Sequence, residues 1–532
     1  MNQDGAEMRI SSTTFGLGLV SLSCFCGGSL GAQDASEVEQ LRKQLRQLQE
    51  QFERVQQEHK SQIDSLSRKL DEITQAQAAE ADKKKLEQEL AAEMSKDAPK
   101  TSTTSSVTNA PWSPASPIRL QSGGSYLDIS LVATFAAGTS TANDIDGVLE
   151  LGAHDPNQRG FTVQGVEANF AGTVDPYFRG NANVLFQVDS SGESLVELEE
   201  AWLETISLPA NLQIRAGQIL TDFGRLNPTH PHSWGFVDTP LVLGRYMGPD
   251  GLRNPGARIS WLAPTPFYSE LFFTVQNSQG ETAYSFRNDD LTGNFLLPYG
   301  YRNPDNNRGV QHVQDLLFTP RYTASFDLSD TQVLLAGASA AFGPNASGDS
   351  GVSDTMSQIY GLDLTWKWKP ANQHGGFPFV SFQTEAMLRR YEAGAFNWDE
   401  NGNGSVDPGE LMNTQTGLPA VLRDETLLDY GFYSQLLYGF RKGWVAGMRV
   451  DYVSSEKAGY EELPLSFNGE SVGRDPQRAQ RWRLSPNMTW YPSEFSKLRL
   501  QYNMDDRLGI GVDHSIWLQF EFLLGAHAAH KF

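Results

Sequence analysis

The feature that most constrains this chain is an alternation of apolar and polar residues with a period of two, which recurs through the sequence after Ser125. In Trp444–Tyr452, every second side chain is apolar, and the intervening positions include Gly447, Arg449 and Asp451. Successive side chains of a strand point to opposite faces, so this pattern predicts strands with one apolar and one polar face. About sixteen segments of roughly ten residues follow it, often with an aromatic residue at one end. The predicted fold is all-β, a transmembrane antiparallel β-barrel of about 16 strands.

The final strand and the connections agree with a barrel. Apolar residues occupy every second position from Ile516 to Leu524, and the chain ends on Phe532. This arrangement resembles the C-terminal sorting signal of bacterial outer-membrane β-barrels, although taken alone it also fits an edge strand of a soluble sheet. Short turns such as Arg441-Lys442-Gly443 alternate with long connections, which we expect outside the cell. The long connections lie at about 137–160, 221–255, 277–312, 390–424 and 454–477.

The beginning of the 532-residue chain has a different character. Residues 1–32 hold a weakly apolar run that ends in Leu30-Gly31-Ala32, which predicts a secretory signal peptide starting at Met1 or Met8. Both cysteines lie in this segment, so the exported chain would have no disulfide. The residues before Cys24 make a poor lipoprotein signal, so we do not expect lipidation there.

Residues 33–97 predict a periplasmic coiled-coil helix. Apolar residues from Val38 to Val55 are spaced by three and four positions, and no Gly or Pro occurs between Ala35 and Ala98. Such a seam favours association of helices, and the alternative is a single solvated helix. Residues 98–117 are rich in Ser, Thr, Pro and Ala and predict a flexible linker. The barrel domain is then residues 118–532.

A stretch of the 390–424 connection matches a calcium-binding loop. Side-chain oxygens, a central Gly404 and a closing glutamate recur at the spacing that wraps a hard cation of calcium's size. The predicted ligands are Asp399, Asn401, Asn403, Ser405 through its carbonyl oxygen, Asp407 and Glu410. The sequence offers no packed core for this connection, so we expect calcium to offset the entropy of ordering it. The alternative is an acidic, glycine-rich solvent loop.

Placing the apolar faces toward lipid leaves a row of cationic side chains on the inner wall. They are Arg321, Lys367, Arg389, Arg449, Arg481, Arg483, Lys497 and Arg499. On an earlier strand, Glu197 and Glu199 face inward, although Glu200 breaks the alternation there. A basic wall opposite an acidic one would orient charged solutes in a wet pore. The alternative is a lumen that is polar without selecting ions.

One stretch resembles a known family. Leu212–Gly224 (LQIRAGQILTDFG), preceded by Leu195–Glu204 (LVELEEAWLE), resembles the phosphate-selective O/P porin family. The resemblance implies a homotrimer, an anion channel, Arg215 on the pore wall and a next loop folded into the lumen. Candidate constriction residues of that loop are Asp222, Arg225, His230, His232, Asp238, Arg245, Asp250 and Arg253. The histidine pair alone lacks the third ligand that a metal site needs.

These features predict an outer-membrane porin, embedded in lipid, for passive or weakly ion-selective diffusion of small polar or charged solutes. No nucleophile elbow, phosphate loop, zinc-protease helix or CxxC motif is present, so we expect no enzymatic activity. The formal net charge of −22 argues against nucleic acid as a partner. The alternatives are a structural barrel and stalk that anchor the envelope, and a TonB-type active receptor, which would need about 22 strands and a plug.

Overall fold

The computed structural model describes residues 118–122, 124–173, 175–288, 292–304, 309–347 and 355–525. The predicted signal peptide, coiled coil and linker lie outside these residues, as does Phe532. Within the described part of the chain, no helix is both long and apolar enough to cross a membrane.

Sixteen long strands form one closed antiparallel barrel. The last strand pairs with the first long strand, from Leu131 opposite Leu524 to Ser140 opposite Ser515. In chain order, the strands are β1 (Ile118–Ser122), β2 (Ser125–Ser140), β3 (Gly160–Thr173), β4 (Phe178–Val188), β5 (Ser194–Thr205), β6 (Leu212–Leu220), β7 (Arg253–Leu262), β8 (Tyr268–Asn277), β9 (Leu316–Ser329), β10 (Gln332–Pro344), β11 (Met356–Trp368), β12 (Phe379–Ala393), β13 (Phe396–Asn397), β14 (Leu411–Asn413), β15 (Leu418–Pro419), β16 (Val421–Leu422), β17 (Glu425–Arg441), β18 (Trp444–Ser455), β19 (Leu465–Phe467), β20 (Glu470–Val472), β21 (Arg481–Ser493), β22 (Ser496–Arg507) and β23 (Gly511–Leu524).

The short strands stand apart from the barrel wall. β1 extends the barrel by pairing with the beginning of β2, whereas β13 to β16, β19 and β20 lie in the loops. The α-helix α1 (Leu241–Met247) follows β6. The 3-10 helices are Pro209–Asn211, Pro231–Ser233, Tyr299–Tyr301, Val313–Asp315 and Tyr460–Glu462.

The alternation of the sequence decides which face each strand residue takes. In β23, Leu518 and Phe520 are 47% and 42% exposed on the outer surface, whereas Trp517 and Glu521 are buried on the inner face. The same rule holds along β22, where Leu500 is exposed and its neighbours are buried. The predicted barrel of about 16 strands is confirmed, with apolar side chains outside and polar ones inside.

The long connections all leave the same end of the barrel, which we call the long-loop end. They are residues 141–159, 221–252, 278–315, 345–355, 394–424 and 456–480. The opposite end, the short-turn end, has brief connections between the strands that meet there, with residues 369–378 as the longest. The predicted segregation of long loops and short turns is therefore present in the described residues.

Three long loops share an apolar core at the long-loop end. Tyr301, Trp398, Leu411 and Tyr460 are all buried in one cluster, and β14 of one loop pairs with β19 of another. We expected the 390–424 connection to lack a packed core, and this expectation is wrong. The core is assembled from loops that are distant in sequence, so no single loop reveals it.

Residues 221–252, the inner loop, fold into the barrel rather than outward. The apolar side chains of α1 are buried against the inner wall, in a cluster that includes Phe223, Ile359, Tyr433 and Val453. This internal core places the loop across the lumen, between the two ends of the barrel.

Candidate functional site in the barrel lumen

Cationic side chains of β22 hold one segment of the inner loop. The Lys497 ammonium donates to the carbonyl oxygen of His232 at 2.6 Å. The Arg499 guanidinium donates to the carbonyl oxygens of Trp234 and Phe236 at 2.9 and 3.0 Å. Beyond the 3-10 helix Pro231–Ser233, this segment has no regular structure, so its carbonyl groups need such partners.

Asp238 is the central anchor of the inner loop. Its Oδ1 accepts from Arg449 at 2.9 Å, and its Oδ2 accepts from Arg483 and from the Asn503 amide. Burial opposes the charge of Asp238, but Arg449 and Arg483 outweigh burial and lower its pKa to about 2. The carboxylate is therefore ionised throughout the neutral range.

Strand β12, which is separated from β18 by β17 alone, also anchors the loop through Glu385 and Arg389. Glu385 accepts from the backbone N–H groups of Arg225 and Leu226, each at 2.9 Å. Arg389 donates to the carbonyl oxygen of Arg245 at 3.1 Å. The sequence analysis did not identify Glu385, although the alternation of residues in β12 places its side chain on the inner face.

Most of the predicted wall cations are neutralised by neighbours. The ion pairs join Arg215 to Glu204, Arg321 to Asp363, Arg389 to Asp429, Arg481 to Asp505 and Lys497 to Glu521. We expected these side chains to face an open wet pore, but the inner loop and nearby carboxylates cover most of them. Lys367 differs, because it is exposed and forms no ion pair with a described residue.

The remaining constriction residues also have local partners. Asp222 pairs with Arg258 at 3.0 Å, and Asp250 lies 3.7 Å from Arg253. Arg253 begins β7, so it belongs to the wall rather than to the loop as predicted. Burial, followed by the nearby charge of Arg481, lowers the pKa of Arg245 to about 10.

The inner loop separates two cavities. The long-loop cavity, of about 520 Å³, is lined by Arg245 of the inner loop and by Arg481 of β21. The short-turn cavity, of about 470 Å³, is lined by Arg225, Lys367 and Lys369. No carboxylate is among the described residues that line the short-turn cavity, and none of these three side chains forms an ion pair with a described residue. The short-turn cavity is therefore positively charged.

A β-bulge explains the broken alternation at Glu200. β4 and β5 shift register so that Leu198 lies opposite Val184 while Glu200 lies opposite Asn183, which leaves Glu199 as the extra residue. Glu199 and Glu200 are consequently both buried on the inner face. His230 of the inner loop contacts both glutamates of this bulge, whereas His232 contacts Glu167 of β3.

The predicted calcium ligands form a compact loop at the long-loop end. Asp399 Oδ2 accepts from the N–H of Gly404, whose φ of 70° provides the sharp turn. The amides of Asn401 and Asn403 both donate to Asp407. Asp399 Oδ1 is buried and has no hydrogen-bond partner among the described residues. An orphaned carboxylate oxygen beside further oxygen donors fits a calcium ion.

Proteins similar to this chain were found among solved structures and among sequences. No family model matches this chain. Among solved structures, the chain is similar to OmpT of Vibrio cholerae (TM-score 0.41, 8% identity, 76% of this chain and 99% of that chain). It is also similar to the outer membrane channel DcaP of Acinetobacter baumannii (TM-score 0.45, 12% identity, 75% and 98%) and the anion-selective porin from Comamonas acidovorans (TM-score 0.43, 5% identity, 75% and 100%). The closed barrel is shown by the strand pairing itself.

One relative has a higher sequence identity to this chain than the solved structures named above. An uncharacterized protein of Aquifex aeolicus (strain VF5) is 31% identical over 389 residues, which cover 70% of this chain and 71% of the relative. The chain therefore belongs to the same protein family as this uncharacterized Aquifex aeolicus protein.

Proposed function

We propose that this protein is a bacterial outer-membrane channel for the passive diffusion of small anionic solutes. The observation that carries the proposal is the short-turn cavity, where Arg225, Lys367 and Lys369 line the wall without a carboxylate among the described lining residues. A narrow space with charges of one sign concentrates solutes of the opposite sign. Passive diffusion through such a channel requires no catalytic residue.

The outer surface supports a membrane location. Exposed apolar side chains cover the strands, and aromatic pairs mark both ends of the barrel. Trp444 and Trp490 stack near the short-turn end at 5.8 Å between centroids, and Tyr452 packs on Trp482 near the long-loop end at 4.3 Å. Trp444 and Tyr452 are separated by about 27 Å along β18. At a strand tilt of about 40°, this corresponds to about 21 Å along the barrel axis, near the apolar band of about 25 Å between the aromatic girdles of outer-membrane barrels.

The inner loop is the proposed constriction. It lies between the two cavities, and contacts with Glu385 of β12 and Glu200 of β5 hold it to strands on both sides of the barrel. A solute moving between the cavities must therefore pass beside the loop. The barrel of 16 strands is smaller than the roughly 22 strands of a TonB-type receptor, which disfavours active uptake.

Liposome swelling tests the channel. Liposomes containing the purified full-length protein should swell in an isotonic solution of a small sugar, and more slowly as the sugar becomes larger. Liposomes prepared identically without protein are the control. Swelling no faster than this control would overturn the channel and favour the structural anchor.

The 399–410 loop is proposed to hold a structural calcium ion. Asp399, Asn401, Asn403, Asp407 and Glu410 would supply side-chain oxygens, and Ser405 its carbonyl oxygen. The support is the buried and unpartnered Oδ1 of Asp399 within this oxygen-rich loop. Calcium would fix the tip of a connection whose base already packs against neighbouring loops.

Association into a homotrimer is also a proposal. It follows from the O/P porin resemblance and from the coiled coil predicted for residues 33–97, which would lie in the periplasm. Light scattering of the full-length protein in mild detergent measures the mass of the particle. A monomeric particle would contradict the trimer while leaving the channel untouched.

A further inference from the structure

Four elements of the barrel bring histidine and glutamate side chains to one buried point. His154 comes from the 141–159 loop, Glu167 from β3, Glu199 from the bulge of β5 and His230 from the inner loop. His154, Glu167 and Glu199 are between 4% and 8% exposed. One ligand atom from each of these three residues lies within 4.8 Å of the other two.

The distances between the potential ligands suit a single small ion. His154 Nε2 lies 3.2 Å from Glu199 Oε1. His230 Nδ1 lies 3.4 Å from Glu199 Oε2 and 3.7 Å from Glu167 Oε2. Ligands about 2.0–2.1 Å from a tetrahedral ion are roughly 3.3 Å apart. The observed distances are in this range, and the two that involve Glu199 end on different oxygens, so an ion held by both histidines would contact both Glu199 oxygens.

Glu200 orients the His230 ring. His230 Nε2 lies 3.1 Å from Glu200 Oε2, on the side of the ring away from Nδ1. A carboxylate that accepts from one ring nitrogen leaves the lone pair of the other nitrogen toward a metal. The bulge thus serves two purposes, because Glu199 is aimed at the cluster and Glu200 at the far side of His230.

Asn183 lies beside the cluster and carries a buried oxygen without a hydrogen-bond partner among the described residues. Its side chain is fully buried, and its Nδ2 lies within 3.2 Å of Glu167, Glu199 and His230. Its Oδ1 has no hydrogen-bond partner among the described residues. Small cavities of about 10 and 30 Å³ adjoin the cluster, and His154 lines both. The larger one has room for an ion or a water molecule.

His232 connects the cluster to the short-turn cavity. His232 lines that cavity, and its Nδ1 lies 3.1 Å from Glu167 Oε2. Its ring also stacks on that of His230, with 5.7 Å between the centroids. His232 therefore lies between the short-turn cavity and the buried ligands.

We propose that His154, Glu167, Glu199 and His230 bind a divalent transition-metal ion of the zinc class. Two imidazoles with two carboxylates favour such an ion over calcium or magnesium, which prefer oxygen ligands alone. The ion would tie the wall, the 141–159 loop and the inner loop together. The site does not depend on which solute the channel passes.

Titration calorimetry with ZnCl2 tests the site. The full-length protein in detergent is first stripped with a chelator, and excess CaCl2 is kept present so that the 399–410 loop does not contribute. We expect one Zn²⁺ per chain and no displacement by calcium or magnesium. Binding of less than one Zn²⁺, or loss of Zn²⁺ to the excess calcium, would overturn the proposal and leave histidine–glutamate ion pairs as the role of the cluster.

Variants assign the ligands. His154→Gln with Glu199→Gln should weaken Zn²⁺ binding at least a hundredfold, whereas His312→Gln, at an exposed histidine of another loop, should not change it. Heat-dependent mobility on SDS gels reports whether each barrel is folded. The single variant His230→Gln is the second test should the double variant not fold, and unchanged affinity in a folded ligand variant would contradict the assignment.

Discussion

Asp238 and Arg449 form a buried ion pair, with 2.9 Å between the carboxylate Oδ1 and the guanidinium. Asp238 belongs to the inner loop and Arg449 to β18, so the pair joins the constriction to the wall. Arg483, on the adjacent strand β21, contacts the other carboxylate oxygen. Burial of all three side chains makes this contact costly to break from one side only.

Asp238→Asn should loosen the inner loop. The change leaves Arg449 and Arg483 without the charge of Asp238, and we expect the free energy of unfolding to fall by about 3 kcal/mol. Urea titration of the folded barrel in detergent measures the loss. Asp327→Asn, at an exposed position of β9, is the matched control. Equal stability of the two variants would show that Asp238 does not anchor the loop.

Acid should release the same anchor only near pH 2. Burial opposes ionisation of Asp238, but Arg449 and Arg483 hold its pKa at about 2, below the roughly 3.9 of a free aspartate. A pKa lowered by folding gives stability that is present above the unfolded pKa and is lost as the pH falls through the folded pKa. Pepsin should therefore spare residues 221–252 at about pH 4 and cleave them near pH 2. Cleavage to the same extent at both values would contradict this prediction.

The barrel could be predicted from the sequence because the alternation of apolar and polar residues is visible within each strand. Whether Leu518 or Arg449 faces outward or inward depends only on its position within one strand, so the outer and inner faces were both assigned correctly. The partners of these side chains were not readable, since Asp238 and Arg449 are 211 residues apart. For the same reason, the core formed by Tyr301, Trp398 and Tyr460 was missed.

The bulge in β5 could also not be predicted from the sequence alone. The consecutive glutamates Glu199 and Glu200 showed that the alternation fails there, but only the register with β4 shows that both point inward. The histidine pair lacked a third ligand in sequence, and His154 and Glu167 become its neighbours only through the fold.

The calcium proposal predicts protection at the tip of one loop. Leu411 and Leu422 are buried, so their backbone should resist protease with or without calcium. Residues 400–409 should be protected with calcium and cut with chelator, as measured by limited proteolysis and mass spectrometry. Glu410→Ala should abolish the difference, whereas Glu400→Ala, at a non-ligand position, should retain it. Identical cleavage of the wild type in both conditions would exclude the site.

Deleting residues 33–97 tests the predicted coiled coil. The barrel closes through pairing of β2 with β23, so the shortened protein should still fold. We expect weaker association, because one of two proposed contact regions is lost. Light scattering in detergent compares the particle masses at several dilutions. Unchanged association on dilution would show that residues 33–97 do not hold the oligomer together.

The central claim is that the short-turn cavity favours anions. Its most direct test is the reversal potential of the full-length protein in a planar bilayer under a KCl gradient. We predict a potential of the sign that chloride preference produces, reduced by Lys367→Ala with Lys369→Ala and unaffected by Lys457→Ala, an exposed lysine of the 456–480 loop. A potential of cation sign, or one that the double variant leaves unchanged, would contradict the account.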